Sequence, residues 1–541
     1  FSYELLCAVV QDSDLPRAPS IVRRGNASWS PLPRGTTGGL DQALQKLVDA
    51  EIVFQRGEPP EATYTFKHAL VQEAAYESLL KRTRQQLHGR VVDVLAERFP
   101  ARLESEPEVV ARHAEAAGRI EDAITYYGRA GEQAQARSAH GEAIDHFQKA
   151  LAILGVQSES DEHDHREVQL QLALAPSLAA ARGYAHSQTE AAYERARVLA
   201  NTGNRQEHLS ALVGLANVYL NSGRFRPALR LIDETLAIAR AAPDDWHALA
   251  AYRERVIIAL FQGNPRVALE YGERIVRLYN PSLHHRPIVS SIGDDANVVA
   301  HAFLGWALWL LGYPERAKDS VCRAIDASDA LDHPFSAALA RYFAATLRWM
   351  RRDTWAQRRG AEDLLQLAQA QGFPFWLGLA TTLRGHALHD PAEVAAGMAV
   401  TSATGNQAAA PMFFAMVAEV HWGRNEFAEA RTAVETGLAL GAQTDQRFFD
   451  AELYRLQGEV ALAGGGALAD AEACFHRALA IAREQEARSF EIRAATSLAR
   501  LWRDQGKRAE ARALLRPVYG WFTEGFATRD LIEAKALLDE L

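Results

Sequence analysis

The stretch "AFLGWALWLLGYPERA", residues 302–317, reads as an apolar helix, a tight turn and the start of a second helix. Small residues alternate with bulky anchors up to Gly312, which suits the left-handed residue that ends a helix, and Pro314 suits a first helical turn. From Ala317 a second pattern begins: a small residue, a bulky one four positions on and a small one at seven. It is Ala317/Val321/Ala324 here, and it recurs as Ala123/Tyr127/Ala130, Ala143/Phe147/Ala150, Ala361/Leu365/Ala368 and Ala471/Phe475/Ala478. The first-helix pattern recurs in "LVGLANVYLNSGRFRPAL" (212–229), "MVAEVHWGRNEFAEA" (416–430) and "TSLARLWRDQGKRAEA" (496–511). Alanines in the shared slot, at 228, 268, 317, 361, 430, 471 and 511, stand 40 to 49 residues apart except for one gap of 69. That gap hides a degenerate unit, "FWLGLATTLRGHALHDPAEVAAGMAVTSATG" (375–405), with a shortened turn.

Small residues let two helices approach and bulky ones fill the space between them, which is the helix-turn-helix logic of tetratricopeptide (TPR) repeats. The spacing exceeds the roughly 34 residues of a regular TPR. The fold expected over 107–541 is therefore an all-α, TPR-like α-solenoid, a right-handed superhelix of about ten helix pairs, none able to bury its apolar face alone.

Residues 1–100 read differently. "FSYELLCAVV" suits a short helix, and 11–39, rich in Pro, Gly, Ser and Arg without apolar period, suits a disordered insert. "LDQALQKLVDAEIVF" puts Leu40, Leu44, Leu47 and Val48 on one helical face, and "IVFQRGEPPEATYTF" suits two short strands about a Gly/Pro turn. Residues 64–88 then suit a strong amphipathic helix opened by His68. Helix, helix, hairpin, helix is winged-helix order, so a winged-helix-like remnant is expected before the solenoid.

Composition narrows the function classes. The net charge of −9 lies wholly beyond residue 100, because residues 1–100 hold 12 basic and 12 acidic side chains. Such a surface repels nucleic acid. No long uncharged apolar run or secretory leader is read, and the three cysteines have no CxxC spacing, so a cytoplasmic protein with no membrane segment is expected. Only seven of the 59 basic residues are lysine, a skew expected of a GC-rich bacterial genome. GxxxxGK[ST], HExxH and GxSxG are absent, so no catalytic constellation is read. "DEHDH" (161–165), "LHHRP" (283–287) and "KRTR" (81–84) are read as a solvated loop, an inter-repeat turn and a solvated helix end, and no metal site is assigned.

"YTFKHALVQEAAYESLLKRTRQQLH" (64–88), "AITYYGRAGEQAQARSAHGEAIDHFQKAL" (123–151) and the final 49 residues from Arg493 resemble bacterial proteins in which a class III adenylate/guanylate cyclase domain, a STAND-type ATPase, a winged helix and a TPR array follow one another. The resemblance implies the C-terminal half of such a regulator, with ATP/ADP and Mg held by upstream domains and no cofactor here. It also implies that His68, in "FKHAL", matches the histidine that reads nucleotide state through a β-phosphate hydrogen bond. The alternative for His68 is a cap or packing residue of its helix.

Trp306, Trp309 and Trp422 fall in register for the concave face of the array, and Trp349 belongs to the same cluster, beside Arg341, Arg348 and Arg384. That combination suits an extended peptide, a protein partner or a partly aromatic, anionic small effector. The function expected is a non-catalytic regulatory and protein-interaction module that senses a ligand in the TPR groove. The alternative is a DNA-linked transcription regulator using the winged helix.

Overall fold

The computed structural model describes residues 2–11, 37–158, 160–200, 204–241 and 245–541. They form two compact units, Phe1–His163 and Asp164–Leu541. Most of the insert expected at 11–39 lies outside the described residues.

In the first unit, helices Tyr3–Gln11 and Thr37–Asp49 precede an antiparallel hairpin of Val53–Arg56 and Thr63–Phe66, in register Val53↔Phe66. The face expected of Leu40, Leu44, Leu47 and Val48 packs on Val53, Ala62 and Tyr64. The helix expected over 64–88 is broken: Ala69–Glu77 ends at Ser78, whose Oγ donates to the Ala75 carbonyl, Leu80 is extended, and Lys81–Arg98 follows. The second of these helices buries Val92 and Leu95 against Val110, Ala114 and Ala123. The first buries nothing and leaves Leu70 79% exposed.

The second unit is a TPR-like solenoid. First helices Arg205–Asn221, Asp245–Phe261, Ala296–Leu310, Pro334–Met350, Pro374–Ala387, Ala410–Gly423, Asp450–Ala463 and Arg488–Asp504 alternate with second helices, and helix Arg529–Glu540 closes the series. All seven slot alanines are fully buried on second helices. The longer step from Ala268 to Ala317 has a cause: an extra helix, Pro281–Ile292, stands between two pairs. "LHHRP" is thus part of a helix rather than a turn, with His284 buried and His285 bonded to Asp295. "DEHDH" likewise opens helix Asp161–Arg182 instead of forming a loop.

In the degenerate unit, Val394, Gly397 and Thr401 replace the small/bulky/small triplet. A Cβ on Gly397 would stand 2.5 Å from the Thr382 amide nitrogen, and one on Gly378 2.7 Å from that of Thr401. The two helices therefore meet backbone to backbone, which only glycine permits. The alanine rule fails here because the pair is packed more closely.

The superhelix closes on itself within this unit. The end of each of four first helices bonds the start of a helix much further along. Asn221 O accepts from Gln407 N (2.7 Å), Phe261 O from Phe448 N (3.1 Å) and Trp309 O from Ser489 Oγ, and Arg352 pairs with Asp530 (3.3 Å). Each link joins the end of one first helix to the helix five steps on, from Arg205–Asn221 to Ala410–Gly423 and so to the last, Arg529–Glu540. Left-handed glycines sit along this seam: a Cβ on Gly263 would meet Gln485 and one on Gly312 would meet Trp521, both at 2.5 Å.

Candidate functional site

First helices face inward, so their side chains line the bore of the superhelix. Among the described residues an apolar cavity and a charged cavity lie there.

The charged cavity, about 260 Å³, is walled by the ends of the later first helices and by Arg529–Glu540. Arg455 clasps Glu452 through two nitrogens, at 2.8 and 2.9 Å. Arg493 reaches Glu452 at 3.1 Å and Asp530 at 2.9 Å, and Arg352 holds Glu533 at 2.9 Å. Burial acts to raise the Glu452 pKa, but Arg455 and Arg493 outweigh it and hold the carboxyl at about 2. On the opposite wall Glu419 accepts from Trp349 Nε1 (2.8 Å) and pairs with His386 (2.9 Å). Arg500 differs from its neighbours. Its guanidinium reaches Glu533 and Glu459 only at 3.9 and 4.0 Å, too far for a hydrogen bond, so its donors remain open to the cavity.

The tryptophans divide between sites. Trp349 and Trp422 line the charged cavity, and Trp306 lines the apolar one. Trp306 is nonetheless 1% exposed, with Nε1 donating to the Phe343 carbonyl at 3.2 Å. Trp309 is covered: Phe490 meets its ring edge-on at 5.2 Å and the Arg493 guanidinium lies 5.1 Å from its centroid. Trp349 stacks on Phe449. Phe490 thus covers Trp309 from across the seam, whereas Phe449 reaches Trp349 from the start of a first helix three steps on.

The three arginines expected beside them do not reach the bore cavities. Arg341 pairs with Asp329, Arg348 donates to the Ala356 carbonyl and Arg384 pairs with Glu393, each on the adjoining second helix. The cavity's working cations are Arg352, Arg455, Arg493, Arg500 and Arg529, mostly from repeats beyond those singled out in sequence. Their place on first helices was the available signal: Arg455 shares its inward face with Glu452 and Glu459, and Arg493 and Arg500 share theirs with Thr496 and Ser497.

His68 is the N-cap residue of Ala69–Glu77, exposed and without a side-chain capping bond. It therefore neither caps by its ring nor packs. In "KRTR", Arg84 covers the Tyr76 ring at 5.0 Å.

A second polar cluster lies deeper. Arg253 bonds Asp294 through Nε (2.7 Å) and contacts Glu254, while Tyr184 donates to Asp294 at 2.6 Å. Burial lifts Glu254 to about 7 despite Arg253, and its Oε2 has no partner. Sequence carried no sign of this cluster, because Tyr184 and Asp294 are distant in the chain from Arg253 and Glu254.

The tetratricopeptide-repeat family model matches residues 208–242 and 492–519. An uncharacterised protein of Rhizobium meliloti (strain 1021) is 25% identical over 479 residues, 87% of this chain and 46% of that protein. The chain thus spans about half the length of the curated relative it matches. Among solved structures, similarity is found to a Rap protein complexed with competence and sporulation factor (10% identity, 77% of this chain and 98% of that one, TM-score 0.40). It is also found to a signal transduction ATPase with numerous domains and a tetratricopeptide repeat sensor from Pyrococcus horikoshii (13%, 92% of this chain and 59% of that one, TM-score 0.29). The repeats and their packing define a TPR-like helical-repeat protein. Among the described residues no helix is long and apolar enough to cross a membrane.

Proposed function

We propose that this chain is the regulatory and protein-interaction part of a longer bacterial signal-transduction ATPase/cyclase, and that its charged bore cavity takes the effector or a segment of the protein partner. The observation that carries this reading is Arg500, a cation facing a cavity of about 260 Å³ without a hydrogen-bonded partner. Five arginines and five carboxylates line that cavity, which disfavours a polyanion and suits a ligand bearing both signs of charge, such as a short peptide. Trp422 adds a ring against which such a ligand packs.

In this reading the chain carries no catalytic residue, and ATP/ADP and Mg belong to the upstream domains. The resemblance of residues 64–88 makes His68 the nucleotide-state sensor of that ATPase; its exposure beside Leu70 and Leu80 supports a docked neighbour there. The winged-helix assignment of residues 1–100 rests on element order. A DNA-binding role gains nothing from Arg84, which is engaged on Tyr76.

The test is native mass spectrometry of the purified chain with an equimolar hexapeptide library. Peptides bearing both charges are retained, and R500A weakens them about tenfold through a lost charge-assisted bond. Retention that is absent, or indifferent to R500A, rejects the cavity as the site.

A further inference from the structure

The second bore cavity, about 70 Å³, has a different chemistry. Aromatic rings wall it, among them Phe261, Trp306 and Phe343, and Phe413 contributes from the helix across the seam. Two polar atoms of its lining residues have no hydrogen-bond partner although both are buried: Trp376 Nε1 and Asn406 Oδ1. Trp376 is 2% exposed, so solvent does not serve it. One atom is a donor and the other an acceptor, and native proteins seldom leave such groups unsatisfied. Arg253 lines the cavity as well, but its charge is already neutralised by Asp294 and Glu254.

We infer that this cavity binds a small, neutral, mainly apolar ligand, aromatic or branched, whose single polar group hydrogen-bonds Trp376 Nε1 or Asn406 Oδ1. The rings exclude a strongly hydrated ion, and the absence of free charge excludes a zwitterion, so this ligand class is distinct from that of the charged cavity. The inference stands whether or not the charged cavity proves to be the effector site. Occupancy also bears on the seam. Asn406 adjoins Gln407 and Ala408, whose amides both bond Asn221 O, and Asn221 lines the same cavity. A ligand there touches both turns at once and holds them together.

The probes are phenol and benzene, titrated into the full chain by calorimetry and saturation-transfer NMR. Phenol binds saturably and about tenfold more tightly than benzene, the difference being one hydrogen bond. At least one of W376F and N406A brings phenol down to the benzene level; N406A alters a partly exposed residue, so a fold defect in the tryptophan variant leaves the test intact. With phenol bound, amide exchange at residues 407–408 slows. Equal affinity for the two probes, no saturable binding, or phenol binding unchanged in both variants overturns the inference and leaves a cavity filled by water.

Discussion

Alanine in place of Gly312 tests the seam in isolation, because Gly293 provides a matched control. Both residues have φ of 89°, so an L side chain is strained equally at either, by about 1–2 kcal/mol. Around Gly293 a Cβ meets nothing within 4 Å, whereas at Gly312 it meets Trp521 at 2.5 Å, Arg488 Cβ at 2.9 Å and Phe522 at 3.2 Å. Trp521 and Phe522 lead into the last helix, one superhelical turn away, and their rings are packed on Tyr313 and on each other. Phe522 is buried and cannot swing aside freely. Forcing a methyl into such packing costs about 1–3 kcal/mol beyond the backbone strain. G312A should therefore fall below G293A by that amount in urea unfolding followed by far-UV circular dichroism, with the two denaturant slopes compared so that a change in slope is not mistaken for stability. Midpoints that agree within about 0.5 kcal/mol would show that the turns do not press together in solution.

Three further outcomes follow from buried charge. R253M strands Asp294 and Glu254 without their cation and should destabilise the second unit by about 3–5 kcal/mol in the same assay. Glu254, raised by burial to about 7, contributes stability that is whole below its unfolded value near 4.5 and lost as pH rises through 7; E254Q should flatten thermal stability between pH 5 and 8, and an unaltered slope refutes that assignment. In the first unit, His113 is held down to about 4 by burial, by His88 against its ring nitrogen and by Arg112, so stability present above pH 6.5 should drain away toward pH 4. H113Q should remove that dependence as read by thermal melts.

Much of the fold was legible because its rule is local. A slot alanine followed by a bulky residue four positions on is a property of one helix face, and every slot position named from sequence is buried. The pair at 374–403 escaped the rule because glycine can serve the same close approach from different positions, and helix Pro281–Ile292 escaped because two prolines and two histidines mimic a turn. The site was half legible. Register placed Trp306, Trp309 and Trp422 on the inner wall, and Trp306 and Trp422 line a cavity, as does Trp349 from the same cluster. What covers Trp309 and Trp349, Phe490 and Phe449, lies 181 and 100 residues further along, and no pattern within a repeat reports how tightly the superhelix winds. Arg341, Arg348 and Arg384 were misplaced for a related reason: each has a carboxylate or carbonyl on an adjoining second helix that competes with the bore.

The central claim is that each turn of the superhelix is bonded to the next, and one cross-linking measurement addresses it directly. Arg266 and Glu486 are 220 residues apart in sequence, both partly exposed, and their side chains pair across the seam at 2.5 Å. With Cys7, Cys322 and Cys474 changed to serine, cysteines at 266 and 486 should be joined by a short bis-maleimide at low protein concentration. The expected product is an intramolecular cross-link, found by mass spectrometry of the monomer and lost in urea. A monomer that carries two singly reacted cysteines and no cross-link in buffer would mean that the solenoid is open in solution and its inner tryptophans uncovered.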